Sequence, residues 1–139
     1  MASMLERLRI GSALFLGAAF VWIGIQHFTG PEFFEPIVPD LLGDATFWVY
    51  ASGVVEIAIG ASMLLPATRP NAGKAMAVFL IVLYWANLNM WVNDIPLMGT
   101  TFSNTAHIAR AVAQLGMIGL ALFIAQGTPN QVLRTEEEG

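Results

Sequence analysis

Four long apolar stretches, separated by short polar segments, dominate the hydropathy pattern of the chain. Each is about 20 residues long, which is the length that an α-helix needs to cross the roughly 30 Å hydrocarbon core of a bilayer. The pattern predicts membrane-spanning helices at about residues 8–28, 45–65, 71–92 and 102–126. The predicted fold is therefore all-α, a polytopic transmembrane four-helix bundle that forms a single domain over residues 1–139.

The second stretch, residues 45–65, carries a single formal charge, Glu56, near its middle. A carboxylate at this depth costs roughly 2.5–3.5 kcal/mol on insertion scales, so it is tolerated where it faces other helices. Gly53 and Gly60 share the helical face of Glu56, and small residues allow membrane helices to approach closely. We therefore predict that Glu56 faces the interior of the bundle.

The longest connection, residues 29–44, combines a helical spacing of apolar residues with interrupting prolines. This combination predicts one or two short interfacial helical turns, with the apolar side toward the membrane. An extended proline-rich loop is the alternative. We expect the segment to form a lid on the bundle, with Phe33 and Phe34 resting near His27 and Trp91.

Composition agrees with a membrane protein. Of 139 residues, 56% are hydrophobic and 12% are charged, whereas about a quarter of a soluble domain is charged. The chain has no cysteine, which excludes disulfides and thiolate metal sites, and no basic patch indicates nucleic acid as a partner. Arg7 and Arg9 before the first stretch also fit a signal peptide, but the length of that stretch and the lack of a clear cleavage site favour a retained helix.

The basic residues outside the spans predict the orientation. They all fall at one end of the four-span arrangement, the inner end, and the opposite, outer end has acidic residues without Lys or Arg. By the positive-inside rule we expect a multi-pass protein of the cell (cytoplasmic) membrane with both termini cytoplasmic. The inner-end residues are Arg7, Arg9, Arg69, Lys74 and Arg134, and the outer-end residues are Glu32, Glu35, Asp40, Asp44 and Asp94.

Polar side chains within the predicted spans gather in the middle and outer half of the bundle. With the helices centred in the bilayer, Arg110 lies roughly 6 Å outward of Glu56, and Gln114 is level with Glu56. We predict that Glu56 and Arg110 pair inside the bundle, with Gln114 and Asn87 completing the hydrogen bonds. Such a pair either only fixes helix register or takes part in ligand binding or proton handling. The candidate cluster consists of Glu56, Arg110, Gln114, Asn87, His27 and His107.

Aromatic residues are concentrated in the same outer half. Part of this concentration is the belt that aromatic side chains form at membrane interfaces. The remainder predicts a cavity that opens to the outer leaflet and is floored by Glu56 and Gln114, because ligand pockets combine apolar walls with a few polar groups. The predicted cavity aromatics are Trp22, Trp48, Tyr84, Trp91, Phe33 and Phe34.

Three runs of sequence resemble the DoxX / DoxX-like family of small membrane proteins, namely GIQHFTGPEFFEPIVPDLL, YASGVVEIAIGASMLLPATR and WANLNMWVN. Arg110 and Gln114 match an Arg and Gln pair in the last helix of that family. The chain departs from the family before Asn87, where Trp85 and Ala86 replace a common proline and alanine. The resemblance implies a four-helix membrane bundle in the context of a membrane redox system.

Three functions are compatible with these features. The resemblance favours an accessory or quinone-interacting subunit of a membrane redox system, with a redox enzyme as partner. The alternatives are a non-enzymatic module that binds a lipophilic small molecule or lipid and, less favoured, a small transporter that works as a homo-dimer or larger oligomer. An autonomous enzyme is the least favoured interpretation. No metal is predicted, because His27, His107 and Glu56 lie on three helices without a ligand pair at helical spacing.

The topology can be tested by cysteine labelling, because the chain has no cysteine of its own. We expect cysteines introduced at Ser3 and Asp40 to react with an impermeant reagent from opposite sides of the membrane. Labelling of both positions from the same side would contradict the four-span arrangement.

Overall fold

Four long helices and three short 3₁₀ turns make up the part of the chain that the computed structural model describes, residues 3–95 and 102–127. No strand occurs in those two ranges. All four helices are long and apolar enough to cross a membrane, so the chain has the features of a multi-pass membrane protein and the predicted all-α fold is confirmed. The helices are α1 (Met4–Thr29), α2 (Ala45–Leu64), α3 (Arg69–Val92) and α4 (Asn104–Ala125).

Helix α1 begins four residues earlier than its apolar stretch predicts, because a capping box stabilises its first turn. The Ser3 side chain accepts a hydrogen bond from the backbone N–H of Glu6, and the Glu6 carboxylate accepts one from the backbone N–H of Ser3. The other three helices begin and end within a few residues of the predicted positions. The predicted polar turn between the third and fourth spans begins at Asn93, directly after α3 ends at Val92. Its remainder at residues 96–101 and the tail at 128–139 lie outside the described residues.

The connection between α1 and α2 contains three 3₁₀ turns, Pro31–Phe33, Glu35–Ile37 and Asp40–Leu42. The structure therefore has the predicted helical turns rather than an extended loop. Proline supplies the first or second residue of the first two turns, where its missing N–H costs no hydrogen bond. Asp44 then caps α2 by accepting hydrogen bonds from the first backbone N–H groups of that helix.

A buried arginine holds the inner-end turn between α2 and α3. Arg69 is 1% exposed, and its Nε and Nη2 atoms donate to the carbonyls of Met63 and Leu64 at 2.8 and 3.0 Å. These carbonyls belong to the last turn of α2, where no helical N–H remains to bond them. Arg69 is thus one of the basic residues at the inner end and also the residue that caps the last turn of α2.

The helices pack chiefly as two antiparallel hairpins, α1 with α2 and α3 with α4. A buried apolar core joins the hairpins and includes Leu16, Phe20, Met63 and Met76. At the inner end Arg9 connects the first hairpin to the second, since its Nε donates to the carbonyl of Phe123 at 3.0 Å. The inner half of the bundle is thus mainly apolar, as its sequence indicates.

Glycines set the short distance between α1 and α2. A Cβ atom placed on Gly60 would lie 2.7 Å from the carbonyl oxygen of Gly17, and one on Gly53 would lie 2.8 Å from Cβ of His27. A Cβ atom on Gly24 would likewise be 3.0 Å from the carbonyl oxygen of Gly53. The glycine face of α2 therefore packs directly on α1, as small residues permit in membrane bundles.

Gly60→Ala should destabilise the protein because its added methyl group meets backbone rather than a flexible side chain. Overpacking of this kind costs about 1–3 kcal/mol of unfolding free energy, which a denaturing-detergent titration followed by tryptophan fluorescence can measure. Gly116→Ala on α4 is the matched control, because a Cβ there meets nothing within 4 Å. A loss for Gly116→Ala as large as that for Gly60→Ala would contradict the proposed role of close packing.

Candidate functional site

A histidine and a glutamate meet inside the α1–α2 hairpin. Nε2 of His27 lies 3.5 Å from Oε2 of Glu56, and both residues are buried. Nδ1 of His27 lies 2.8 Å from the carbonyl oxygen of Ile23, and because a carbonyl can only accept, Nδ1 carries a hydrogen. One further proton, on Nε2 or on the carboxyl group, is then needed to make the contact attractive.

Phe34 covers the histidine of this pair. Its ring stacks on the ring of His27 with a centroid distance of 4.0 Å and an interplanar angle of 16°. The connecting segment is attached to the bundle, since Thr46 on α2 donates to Glu35 at 2.9 Å and Asn89 on α3 donates to a backbone carbonyl of the segment at 3.2 Å. The predicted lid is therefore confirmed for Phe34.

Glu56 does not pair with Arg110. Among the described residues, the ion pair of Glu56 is with His27. The side-chain contacts of Arg110 are with α3, with its own helix and with the ring of Phe102 just before that helix. The reason is the glycine face of α2, which packs on α1 and carries Glu56 with it. The predicted pair of Glu56 and Arg110 is therefore wrong. The prediction assumed that the face of α2 with Glu56 packs against α4, whereas in the structure it packs against α1.

A second polar cluster joins α3 to α4. Arg110 Nη2 donates to Oδ1 of Asn87 at 2.8 Å, and Nδ2 of Asn87 donates to Oε1 of Gln114. Gln114, which is buried, donates in turn to the carbonyl of Leu80 at 2.6 Å. The hydrogen bonds thus form a directed chain from the guanidinium to the α3 backbone. Asn87 and Gln114 are brought together with Arg110 as predicted, without Glu56.

His107 lies beside the same guanidinium. Its Nδ1 is 3.5 Å from Nη1 of Arg110, which also donates to the sulfur of Met90 at 3.1 Å. The ring of Trp91 stacks on His107 with a centroid distance of 5.5 Å. His107 is 3% exposed, and its Nε2 has no hydrogen-bond partner among the described residues. A shallow cleft beside these groups is lined by Tyr84, Asn87, Leu88, Trp91, His107, Arg110 and Ala111.

A cavity of about 390 Å³ lies between α2 and α3, covered at its outer end by Val38, Pro39 and Leu42 of the connecting segment. Neither Glu56 nor Gln114 lines this cavity, so it lacks the predicted polar floor. Its helical walls are almost entirely apolar, and consist of Trp48, Ala51, Ser52 and Val55 from α2 and Phe79, Val82, Leu83, Trp85 and Ala86 from α3.

The aromatic residues predicted to line one cavity are distributed over several surfaces. A shared depth does not place them on a shared face, because successive helical residues point in different directions. Trp48 lines the α2–α3 cavity, Tyr84 and Trp91 line the cleft beside Arg110, Phe34 stacks on His27, and Phe33 and Trp22 are 42% and 63% exposed.

Sequence reasoning missed the α3 wall of the cavity. Phe79, Leu83 and Ala86 recur at i, i+4 and i+7, which is an apolar helical stripe that ends on a small residue. That stripe is also what an ordinary packing surface looks like, so the spacing alone does not identify a cavity.

The polar groups described here can donate hydrogen bonds, accept them and hold protons. Within residues 3–95 and 102–127, no three His, Cys, Asp or Glu side chains lie close enough to hold a metal ion. The site residues are therefore best interpreted as a buried acid–base pair, a guanidinium cluster and an apolar cavity.

A family model described as "Domain of unknown function (DUF8561)" matches residues 16–125, and the chain belongs to this family. The match covers all of α2, α3 and α4 and the second half of α1. No curated protein and no solved structure matches the chain.

Two double-mutant cycles test the partner of Glu56. His27→Leu and Glu56→Met should each cost about 1–3 kcal/mol of unfolding free energy, because each leaves a buried polar partner unsatisfied. The double variant should lose less unfolding free energy than the two single variants together, and the difference, the coupling energy, should be about 0.5–3 kcal/mol. The same denaturing-detergent titration measures it.

The control cycle combines Glu56→Met with Arg110→Met. No contact joins these two side chains among the described residues, so their losses should add to within about 0.5 kcal/mol. Coupling in the control cycle together with additivity in the His27 cycle would support the sequence-based pairing instead.

Proposed function

We propose that this member of the DUF8561 family binds a lipophilic molecule in the space between α2 and α3, without being an enzyme on its own. The observation that carries the proposal is the 390 Å³ apolar cavity covered by the connecting segment. Ligand sites for small molecules typically measure about 300–1,000 Å³. A surface that only contacts lipid or another helix does not need such a cover.

The cavity continues along the length of the two helices. A second space of about 520 Å³ shares Val55, Phe79 and Val82 with the first. A third of about 320 Å³ shares Ile59 and Ala75 with the second and reaches the inner-end turn at Thr68. We call these three spaces together the α2–α3 groove. Its elongated shape fits an acyl or isoprenoid chain better than a compact molecule.

The chemistry of the groove supports a hydrocarbon occupant. Two of the three polar side chains at its outer part are already bonded within the protein, because Trp48 Nε1 donates to the carbonyl of Leu42 at 2.8 Å and Ser52 donates to the carbonyl of Val49 at 3.0 Å. The third, Trp85, has no hydrogen-bond partner among the described residues. A charged or hydrogen-bonding head group would find few free partners there. The alkyl chain of a lipid or of an isoprenoid compound loses no hydrogen bonds on entering.

A quinone is one lipophilic molecule with a chain of this kind, and the resemblance to the DoxX family favours it. The groove accounts for an isoprenoid tail. At its outer part Trp85 is the lining donor without a hydrogen-bond partner among the described residues, and one donor does not define a site for both ring oxygens. An accessory role in a membrane redox system, with a redox enzyme or a second copy as partner, therefore stays a prediction based on the resemblance. Transport is less favoured because four helices are few for a translocation path.

The proposed location is the cytoplasmic membrane, with both termini on the cytoplasmic side. The positive-inside rule supports this orientation through Arg7, Arg9, Arg69 and Lys74. In this orientation the covered end of the groove faces the outer leaflet. A lipophilic ligand would enter laterally from the bilayer.

Filling the groove tests the proposal. The protein, purified in mild detergent and examined by native mass spectrometry, should retain a lipid-like mass, and a diazirine-bearing palmitate should crosslink mainly to peptides of α2 and α3. The double variant Ala51→Phe/Ala86→Phe places two rings in the cavity and should reduce both signals about tenfold or more, because the chain can no longer enter.

Ala113→Phe is the matched control, because Ala113 is exposed on α4 and lines none of the three spaces of the groove. It should leave retention and crosslinking unchanged. Crosslinks spread evenly over the exposed faces of all four helices, with no effect of the double variant, would contradict the proposal.

A further inference from the structure

We propose that Arg110 binds the phosphate of an anionic membrane lipid at the mouth of the cleft between α3 and α4, because the cleft itself, at about 10 Å³, is too small to admit a phosphate. Tyr84, Asn87 and Trp91 line this cleft from α3, whereas Phe79, Leu83 and Ala86 of the same helix face the α2–α3 groove. The two sites therefore lie on different faces of α3. This proposal does not rest on the occupant of the groove.

The charge of Arg110 is the first observation. Its side-chain contacts are with Asn87, Met90 and His107. Its Cζ atom also lies 5.4 Å from the centroid of the Phe102 ring, which is neutral as well. Among the described residues no carboxylate lies within the 4.0 Å ion-pair distance of its guanidinium. Residues 96–101, which join the two described ranges in the sequence, contain no Asp or Glu. A guanidinium in a membrane span without a protein anion calls for an anion from outside the protein.

The second observation is the unpartnered nitrogen of His107. Nδ1 faces a guanidinium N–H, which can only donate, so Nδ1 is the acceptor and Nε2 carries the hydrogen of a neutral ring. That Nε2–H group is buried and has no acceptor among the described residues. Because Nδ1 faces the guanidinium, Nε2–H points away from it, so His107 offers a separate donor to another oxygen of the lipid head group.

The depth of the cleft favours a lipid over a free anion. Arg110 is six residues after Asn104, the first residue of α4, which corresponds to about 9 Å along the helix. A hydrated phosphate ion would have to lose its water to reach this depth. The phosphate of a lipid stays at the membrane interface, and the long side chain of Arg110 can extend toward the interface to contact it. Leu88, which lines the cleft and is 39% exposed, is available to contact the acyl chain.

The chemistry of the guanidinium favours phosphate over other oxyanions. Its planar arrangement of donors can bond two oxygens of one phosphate at once. Asn87 holds one of its edges through the 2.8 Å hydrogen bond and continues to Gln114, so the side chain is fixed in place before a ligand arrives. A fixed donor loses less entropy on binding.

Native mass spectrometry of the purified chain in mild detergent, titrated with dioleoylphosphatidylglycerol, tests this assignment. The wild type should retain this lipid at concentrations about tenfold lower than dioleoylphosphatidylcholine, whose choline compensates the phosphate charge. Arg110→Gln should weaken phosphatidylglycerol binding about ten- to a hundredfold, the effect of one lost charge-assisted bond. His107→Phe keeps a ring against Trp91 and should weaken binding about three- to tenfold.

Arg7→Gln is the matched control, because Arg7 is an exposed cation at the other end of the bundle, and it should bind as the wild type does. If circular dichroism shows that Arg110→Gln does not fold, the same titration is done with Arg110→Lys and His107→Phe. The first variant loses the planar set of guanidinium donors and the second loses the imidazole N–H. Unchanged phosphatidylglycerol binding in these variants would overturn the proposal. Displacement of the lipid by equal concentrations of sodium phosphate or oleic acid would overturn the assignment to a lipid phosphate.

Discussion

The close contact between α1 and α2 is the constraint on which the rest of the structure depends. Gly17, Gly24, Gly53 and Gly60 leave no space for a side chain between the two backbones. Because the same face of α2 carries Glu56, this contact delivers the carboxyl group to α1 and therefore to His27. It also turns another face of α2 toward α3, and the α2–α3 groove lies between these two helices, lined on the α2 side by several small residues such as Ala51, Ser52 and Ala58.

Each hairpin satisfies most of its polar groups internally. In the first hairpin the acid and the histidine face each other, and in the second a chain of hydrogen bonds runs from Arg110 to the α3 backbone. The contacts between hairpins are mainly apolar, supplemented by the connecting segment and by Arg9. An apolar contact has no directional bonds that must be broken, so the hairpins can separate slightly at the groove without leaving a buried donor unpaired.

Much of the fold could be predicted because helix length, apolarity and capping are properties of single segments. The four spans, the helical turns at residues 29–44 and the inward position of Glu56 are of this kind. The partner of Glu56 could not be predicted, since helix depth follows from sequence position but the choice of facing helix depends on packing. Asn87 and Gln114 were predictable neighbours of Arg110 because α3 and α4 are consecutive and must lie side by side. The α2–α3 groove is a property of two surfaces together, which no single stripe of residues reveals.

The two polar clusters differ in net charge, and this difference separates their roles. With Nδ1 of His27 bonded to a carbonyl, one additional proton holds the His27–Glu56 contact, and the pair is neutral whether that proton is on the imidazole or on the carboxyl group. The pair therefore cannot compensate a charge elsewhere in the bundle. Arg110 retains its charge among neutral partners. The α1–α2 cluster thus balances its charge within the protein, although Oε2 of Glu56 has no hydrogen-bond partner, whereas the α3–α4 cluster has no anion among the described residues.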